Sequence, residues 1–241
     1  MNPSQGRPET KPDLETKGTQ ETASALNALS AGVAHEIRNP LAAIQSLVEL
    51  LAQKTEDKKQ KELAEAIVTE VARLNRFLEE FLRYGKTPAL KCETISVKAL
   101  VEKVLTFAMP PKQDSKIIVH THIPEGLPAV EIDPEAYHQV LLNAVLNAVQ
   151  AMRGGGTLDI RASVLDGHFI MQIKDSGPGI SPENREKMFL PFFTTKRGGS
   201  GLGLAIAHQI IRQHGGSIYF ENNIGEKGVT LFIDVPQQHA E

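Results

Sequence analysis

Two stretches with the apolar spacing of an amphipathic helix dominate the first third of the chain. In the first stretch, large apolar residues recur every three or four positions, which places them on one stripe of an α-helix. That stripe consists of Leu26, Leu29, Val33, Ile37, Leu41, Ile44, Val48 and Leu51. A second stripe consists of Leu63, Ile67, Val71, Leu74, Leu78 and Phe81, and the helix stops at Gly85 and Pro88. A short charged segment at 54–61 separates the stretches, so we predict an antiparallel helical hairpin.

A single hairpin has only two apolar stripes, which is a thin core for helices of this length. A symmetric dimer would bury both stripes in a four-helix bundle, because a two-fold interface brings the same face of both copies together. We therefore predict a homodimer built on a hairpin domain at 23–86. Residues 1–22 contain few large apolar side chains, which predicts a disordered tail or linker before it.

One histidine of the first helix lies away from the apolar stripe. At about 100° per residue, His35 is roughly 160–200° from Val33 and Ile37. Glu36 is its neighbour, and Asn39 shares its face one turn later. An exposed imidazole beside a carboxylate favours a nucleophile, while the plain alternative is a solvated surface histidine.

Bulk properties exclude several classes of function. The formal net charge is −3, so no broad basic field favours nucleic acid or an anionic membrane. The one cysteine, Cys92, excludes an intramolecular disulfide and fits a reducing compartment. No apolar run approaches the roughly 20 residues that span a bilayer. We expect a cytoplasmic, soluble chain, in contact with a membrane only through a sensor region absent from this sequence.

The pattern changes to mixed helix and strand after a predicted linker at 87–95. Helices are predicted near 96–108, 134–152 and 201–214, and strands near 116–122, 129–132, 157–164, 168–175, 217–222 and 229–235. We therefore predict a second domain at 96–238, an α/β sandwich with helices on one face of a mixed, largely antiparallel sheet. His120 and His122 share one side of a strand without further ligands nearby, and we interpret them as ordinary strand surface.

The helix predicted at 134–152 carries a polar stripe among many apolar residues. The stripe consists of Gln139, Asn143, Asn147 and Gln150. Buried amides without partners are costly, so this stripe faces either water or a ligand. Amide oxygens are hard donors that suit Mg²⁺ held together with phosphate oxygens.

Two glycine-rich segments follow. Asp175 ends a strand, and Gly177 and Gly179 let a ligand approach the backbone, so the carboxylate is placed to accept from an exocyclic amine such as that of adenine. Aromatic residues at 189–193 predict a loop anchored on the core, and Lys196 offers a positive charge. The segment 198–203 then opens a helix, whose free N–H groups favour phosphate.

In this order, the motifs resemble the catalytic core of a bacterial sensor histidine kinase of the nitrogen-regulator type. His35-Glu36-x-x-Asn39-Pro40 resembles the phosphoacceptor box, and Asn143-x-x-x-Asn147 the asparagine box. Asp175-x-Gly177-x-Gly179 resembles the first glycine box, 189–196 the phenylalanine box, and Gly199-x-Gly201-x-Gly203 the second glycine box. One departure is Gln150, which stands where many members have a lysine near the ATP phosphates.

The resemblance implies a dimeric helical hairpin joined to a Bergerat-fold ATP-binding domain. It implies an enzyme that phosphorylates His35 from ATP with Mg²⁺ and passes the phosphoryl group to an aspartate of a response-regulator receiver domain. Glu36 would orient the imidazole, and Asn39 would position water for dephosphorylation of the partner. The implied nucleotide-binding residues are Asn143, Asn147, Gln150, Asp175, Gly177, Gly179, Thr194, Thr195, Lys196, Gly199, Gly201, Leu202 and Gly203, with Asn147 also at the metal.

Three other functions fit part of these motifs. A gyrase-like ATPase shares the ATP-binding fold, but its catalytic glutamate lies on the asparagine-box helix, and Glu135 stands at the start of that helix. A serine kinase acting on a partner protein needs no hairpin that displays a histidine. A dimeric scaffold that only senses nucleotide would bind ATP without phosphorylation.

Overall fold

The computed structural model describes residues 36–85, 89–109, 116–152, 154–196 and 199–238. The chain divides into two compact units, Met1–Thr87 and Pro88–Glu241. His35 lies outside the described residues. Within the described ranges, no helix has the length and apolar character needed to cross a lipid bilayer.

The first unit contains the two predicted helices. Helix α1 occupies residues 36–54, and α2 occupies Lys58–Gly85. The N–H of Thr55 still donates to the carbonyl of Leu51 at 3.1 Å, and α1 ends there. The Asp57 carboxylate accepts from the N–H of Lys59 at 2.8 Å, which caps the start of α2. Polar cap residues therefore hold the short connection that the charged segment predicts.

The apolar residues of the hairpin form two faces rather than one. Ala64, Val71 and Leu78, seven residues apart, are buried in α2. Other apolar side chains stay exposed in the single chain, and some residues of each predicted stripe are among them. These exposed residues are Ile37, Ile44, Leu47, Leu50 and Leu51 on α1, and Leu63, Ile67, Leu74 and Phe77 on α2. We call these nine residues the outer apolar face.

The second unit contains a five-stranded sheet in the order β2-β4-β5-β7-β6. The strands are β2 (Ile117–His122), β4 (Gly156–Leu165), β5 (His168–Asp175), β6 (Ser217–Asn222) and β7 (Val229–Pro236). Among the described strands, only β2 and β4 pair in parallel, so the sheet is mixed and largely antiparallel as predicted. Asp166 and Gly167 join β4 to β5 with φ values of 52° and 77°, the geometry of a tight hairpin turn.

Three helices cover one face of this sheet. They are α3 (Val97–Ala108), α4 (Pro134–Ala151) and α6 (Gly203–Gln213), and α4 contacts both of the others. The core between helices and sheet contains Tyr137 and Leu141 from α4 with Phe169 and Met171 from β5, all at most 1% exposed. Burial of such side chains is the main stabilising contribution to the unit.

Asp133 fixes the start of α4. Its Oδ1 accepts from the N–H groups of Glu135 and Ala136 at 3.0 and 2.9 Å, and Pro134 follows as the first helical residue. Its Oδ2 accepts from the N–H of Lys91 at 2.8 Å, and its own N–H donates to Nε2 of the buried His214 at 3.1 Å. This residue therefore connects the segment that enters the second unit with α4 and the end of α6.

Two short elements differ from the sequence predictions. Glu93–Ile95 forms β1, which pairs antiparallel with β3 (Val130–Ile132), although 87–95 was expected to be linker. Three residues are too few for an alternating pattern, so tertiary pairing decides this strand. A four-residue helix, α5 (Pro182–Arg185), also lies in the loop after Asp175.

Candidate active site

The polar stripe of α4 lies against other parts of the second unit. Gln139 Nε2 donates to Asn143 Oδ1 at 2.9 Å, and Asn143 Nδ2 donates to the carbonyl of Gly203 at 2.7 Å. Asn143 and Asn147 are half-buried, and Gln150 is exposed. The first half of the stripe thus fixes the position of the start of α6, which lies 60 residues further along the chain.

Lys196 reaches the second half of the stripe. Its Nζ lies 2.6 Å from Asn147 Oδ1 and 2.9 Å from Gln150 Oε1. Asn147 thus presents its amide oxygen to a cation, which is the donor chemistry that a hard metal ion also requires. Gln150, which departs from the family pattern, contacts a lysine from the phenylalanine-box segment.

Asp175 stands at the end of β5 and is only 7% exposed. Its Oδ1 accepts from the N–H of Gly177 at 2.8 Å, and its carboxylate also accepts from the N–H of Val229. Burial raises the pKa of the Asp175 carboxyl above its ordinary value, while these hydrogen bonds and the positive charge of Lys196 act in the opposite direction. A buried carboxylate with acceptor capacity left is suited to a neutral N–H donor such as an exocyclic amine.

The aromatic segment after the first glycine loop is anchored as expected. The Phe189 ring lies 5.3 Å from that of Phe220 and 5.5 Å from that of His208. Burial lowers the pKa of His208 below its ordinary value, which favours the neutral ring against Phe189. Phe189 therefore fixes the start of the segment that leads to Lys196.

A backbone contact closes the same segment. Phe192 adopts a left-handed φ of 66°, and its N–H donates to the carbonyl of Gly201 at 3.0 Å. Gly201 has a φ of 69°, and a Cβ on it would lie 2.4 Å from the carbonyl carbon of Phe192. Glycine is required here for both reasons. We call residues 192–201 the lid, of which 197–198 lie outside the described residues.

The lid leads into the start of α6. Leu202 holds the cap position and is fully buried, and its apolar side chain cannot accept a hydrogen bond. Thr194 Oγ1 accepts from the N–H of Lys196 at 3.1 Å, while Thr194, Thr195 and Gly199 are exposed. Ser200 Oγ accepts from the N–H of Leu202 at 3.2 Å, and the following N–H groups and the dipole of the first turn of α6 favour a bound anion.

The predicted phosphoacceptor residues belong to the other unit. Glu36 and Asn39 are exposed on α1, and His35 is outside the described residues. The second unit thus brings the predicted nucleotide-binding residues of α4, β5 and the lid together. The roles of His35, Glu36 and Asn39 stay predictions.

Sequence reasoning missed two polar residues that hold Asp175, Asn223 and Thr230, and a separate contact of Asn222 with Ile180. Asn222 bonds both backbone groups of Ile180, at 3.1 and 2.8 Å, and Asn223 donates to the carbonyl of Asp175 at 3.1 Å. Thr230 donates to Asn223 Oδ1 at 2.8 Å. The Asn-Asn pair before Gly225 has the composition of an ordinary turn, so its tertiary contacts leave no signal in the sequence.

The described residues contain no group of three histidine, cysteine, aspartate or glutamate side chains that could hold a metal ion. The donor set that fits Mg²⁺ here is the amide oxygen of Asn147 together with phosphate oxygens of a bound nucleotide. Such a set is typical of Mg²⁺, which keeps few protein ligands.

Two family models match the chain. Residues 25–90 match the His Kinase A (phospho-acceptor) domain, and residues 132–239 match the histidine kinase-, DNA gyrase B-, and HSP90-like ATPase. The sensor histidine kinase ZraS of Salmonella typhimurium is 38% identical over 226 residues, 92% of this chain. The chain spans about half the length of that relative, 48%.

Solved structures show the same likeness. The nucleotide-free catalytic domain of histidine kinase ThkA is 32% identical, with a TM-score of 0.57 over 61% of this chain and 97% of that one. Histidine kinase ThkA in complex with the response regulator protein TrrA is 30% identical, with a TM-score of 0.69 over 93% of this chain and 65% of that one.

Proposed function

Because the chain belongs to the two-component sensor histidine kinase family, we propose that it is the catalytic core of an ATP-dependent protein histidine kinase. In this proposal the second unit binds ATP, His35 accepts the γ-phosphoryl group, and an aspartate of a response-regulator receiver domain takes it from His35. The observation that carries the proposal is the convergence of three groups: the Asp175 carboxylate, the Asn147 amide and the Lys196 ammonium.

Each of these groups has a part in nucleotide binding. Asp175 accepts from the 6-amino group of adenine, and Gly177 and Gly179 let the base approach the backbone. Lys196 turns from the amides of α4 to the phosphates, with Thr194 and Thr195 beside it in the lid. The backbone from Gly199 to Gly203, including Leu202, faces the phosphate oxygens at the start of α6.

Asn143 and Asn147 have different tasks. Asn143 holds the carbonyl of Gly203 and so positions the start of α6. Asn147 would hold Mg²⁺ through Oδ1, and the ion would neutralise phosphate charge during transfer. Gln150 holds Lys196 beside Asn147 before the nucleotide binds.

Transfer to His35 needs little covalent chemistry from the protein. The neutral imidazole of His35 attacks the γ-phosphorus, a nitrogen–phosphorus bond forms, and the bond to the bridging oxygen breaks, so that ADP leaves with the electron pair. Glu36 accepts the hydrogen bond of the second ring nitrogen and compensates the positive charge that develops there. Asn39 positions water for dephosphorylation of the receiver.

We also propose that the hairpin forms a homodimer through its outer apolar face. This face contains nine large apolar residues, more than isolated exposed side chains account for. A second copy offers the same face by two-fold symmetry, and the four helices then form one bundle. The receiver domain would dock on the hairpin near His35. A cytoplasmic location follows, since ATP and receiver domains are found there.

Incubation of the purified chain with Mg²⁺ and ATP labelled at the γ-phosphorus tests the proposal. Label is expected on the protein in an acid-labile, alkali-stable form, as for phosphohistidine. The variant His35→Gln should bind ATP as the unchanged chain does and retain no label. Label that survives acid would indicate a serine kinase, and free phosphate without labelled protein would indicate an ATPase.

A mixture of two variants then tests the dimer and the route of transfer, at an ATP concentration at which neither variant takes up label alone. His35→Gln supplies an intact nucleotide site, and Asp175→Asn supplies an intact histidine. Label on the Asp175→Asn chain in the mixture indicates transfer between protomers, and its absence indicates transfer within one protomer. Exchange of subunits is confirmed beforehand with a size tag on one variant.

A further inference from the structure

The side chain of Asn223, in the turn between β6 and β7, makes three hydrogen bonds. Its Nδ2 donates to the carbonyl of Asp175 and to the carbonyl of Lys227, both at 3.1 Å. Its Oδ1 accepts from the hydroxyl of Thr230 at 2.8 Å. Two carbonyl acceptors require the NH₂ end of the amide, so its orientation is fixed by chemistry.

The strands bring this turn directly against Asp175. Val229 of β7 pairs with Asp175 of β5 on one side and with Asn222 of β6 on the other. A Cβ on Gly228 would lie 1.9 Å from the carbonyl oxygen of Asp175, so only glycine permits this close approach. The N–H of Asn223 also donates to the carbonyl of Gly228 at 3.2 Å, which closes the turn.

Both the backbone carbonyl and the side-chain carboxylate of Asp175 are therefore hydrogen-bonded. Asn223 holds its backbone carbonyl, and the N–H groups of Gly177 and Val229 hold its carboxylate. The orientation of the Asp175 side chain depends on the backbone conformation at this residue. A hydrogen bond to an amine weakens steeply outside about 2.7–3.2 Å, so small displacements of that backbone matter.

We infer that Asn223 is a positioning residue for base recognition: it fixes the backbone of Asp175 so that the carboxylate meets the exocyclic amine of the nucleotide base. The inference rests on the proposed role of Asp175 in binding adenine. Asn223 does not touch the nucleotide. It acts through Asp175, and Thr230 acts through Asn223 by holding its amide oxygen.

Binding of two probes separates this role from a general structural one. ADP carries the 6-amino group, and purine riboside 5′-diphosphate lacks it and is otherwise the same. The unchanged chain should bind ADP at least about tenfold more tightly, since a hydrogen bond to a charged group is lost with the analogue. Asn223→Ala should reduce the ratio of the two dissociation constants to about threefold or less. Most of this change should come from weaker binding of ADP.

The neighbouring asparagine offers a matched control. Asn222 also bonds the backbone of the glycine loop, but at Ile180, five residues beyond Asp175. Asn222→Ala should leave the ratio of the two dissociation constants unchanged. If it lowers the ratio as far as Asn223→Ala does, the effect belongs to the loop as a whole, and the inference for Asn223 is overturned.

Thr230→Val is the second variant, which removes one hydroxyl and keeps the side-chain shape. It should lower the ratio too, but by less than Asn223→Ala does. It replaces Asn223→Ala in the test if circular dichroism shows that the latter variant does not fold. An unchanged ratio in a folded Asn223→Ala variant overturns the inference, as does an equal loss of affinity for both probes. No preference for ADP in the unchanged chain would instead contradict the adenine role of Asp175.

Discussion

The ammonium group of Lys196 lies 2.6 Å from Oδ1 of Asn147, the oxygen that we assign to Mg²⁺. The lid cation and the metal ion therefore need the same acceptor. In the proposed function, Mg²⁺ replaces the ammonium at this oxygen when nucleotide binds, and the released ammonium then contacts the phosphates. We therefore expect the lid and the amides of α4 to change together on nucleotide binding.

Substitution of Lys196 by methionine should weaken binding of a triphosphate more than that of a diphosphate. Loss of a charged hydrogen bond costs about 1.5–3 kcal/mol, or roughly 10- to 100-fold in the dissociation constant for a non-hydrolysable ATP analogue. The affinity for ADP should fall less, because ADP lacks the γ-phosphate. Titration calorimetry with both nucleotides measures this. Lys98→Met, an exposed lysine of α3, is the control for charge, and an equal loss there would contradict the assignment.

The difference in stability between Asp175→Asn and the unchanged chain should depend on pH. Burial raises the pKa of Asp175 in the folded chain, so its contribution to stability is present below the ordinary carboxyl pKa and is lost as pH rises through the raised one. Asp175→Asn has no such titration. The urea midpoint of the variant, relative to that of the unchanged chain, should therefore increase as pH rises through the acid range toward neutrality. A difference that falls with pH would contradict the raised pKa.

The same variant should lose nucleotide affinity. An amide presents one oxygen and an NH₂ group where the carboxylate offers two acceptors, and the NH₂ end repels the amine of adenine. The dissociation constant for ADP should rise about tenfold or more, since a charged acceptor is lost. An unchanged constant in titration calorimetry would remove Asp175 from base recognition.

Gly201→Ala should disrupt the lid, and Gly167→Ala is its matched control. Both glycines have left-handed φ values, 69° and 77°, so the backbone strain of about 1 kcal/mol is common to both variants. At 201 the new methyl group also meets the backbone of Phe192, whereas nothing lies within 4 Å at 167. The free energy of unfolding should fall by a further 1–3 kcal/mol or so at 201, with loss of nucleotide binding. Equal effects would mean that the contact with Phe192 is unimportant.

Leu74→Glu on the outer apolar face should give a monomer. A charge in the proposed bundle interface is costly to desolvate, so the variant should elute at half the mass of the unchanged chain in light-scattering chromatography. Leu165→Glu introduces the same charge at an exposed leucine of the second unit and should leave the dimer intact. A monomeric unchanged chain at micromolar concentration would contradict the proposed dimer.

The sequence predicts most elements and the polar stripe of α4, because residues four apart on a helix share a face wherever the helix lies. It predicts Asp175 as well, since a carboxylate followed by glycines marks the end of a strand. The contacts of Lys196 with Asn147 and Gln150 join residues 46 to 49 positions apart, and only tertiary structure brings them together.

Two other features could not be predicted from sequence patterns, because tertiary contacts decide them as well. β1 is three residues long, and its pairing with β3 decides its conformation. In α2, Val71 and Leu78 turn inward while Leu74 stays exposed, because the apolar residues cover more than one helical face. A repeat every three or four residues cannot separate the face toward α1 from the outer apolar face.

Asp133 joins the segment that enters the second unit to the start of α4. Its carboxylate bonds Lys91, and the short β1–β3 ladder pairs the same entry segment with the strand directly before α4. Asn147 lies fourteen residues after Asp133 on the same helix, about 21 Å away at 1.5 Å per residue. We therefore expect a displacement of the segment at Lys91 to act on the end of α4 opposite to Asn147 and Gln150.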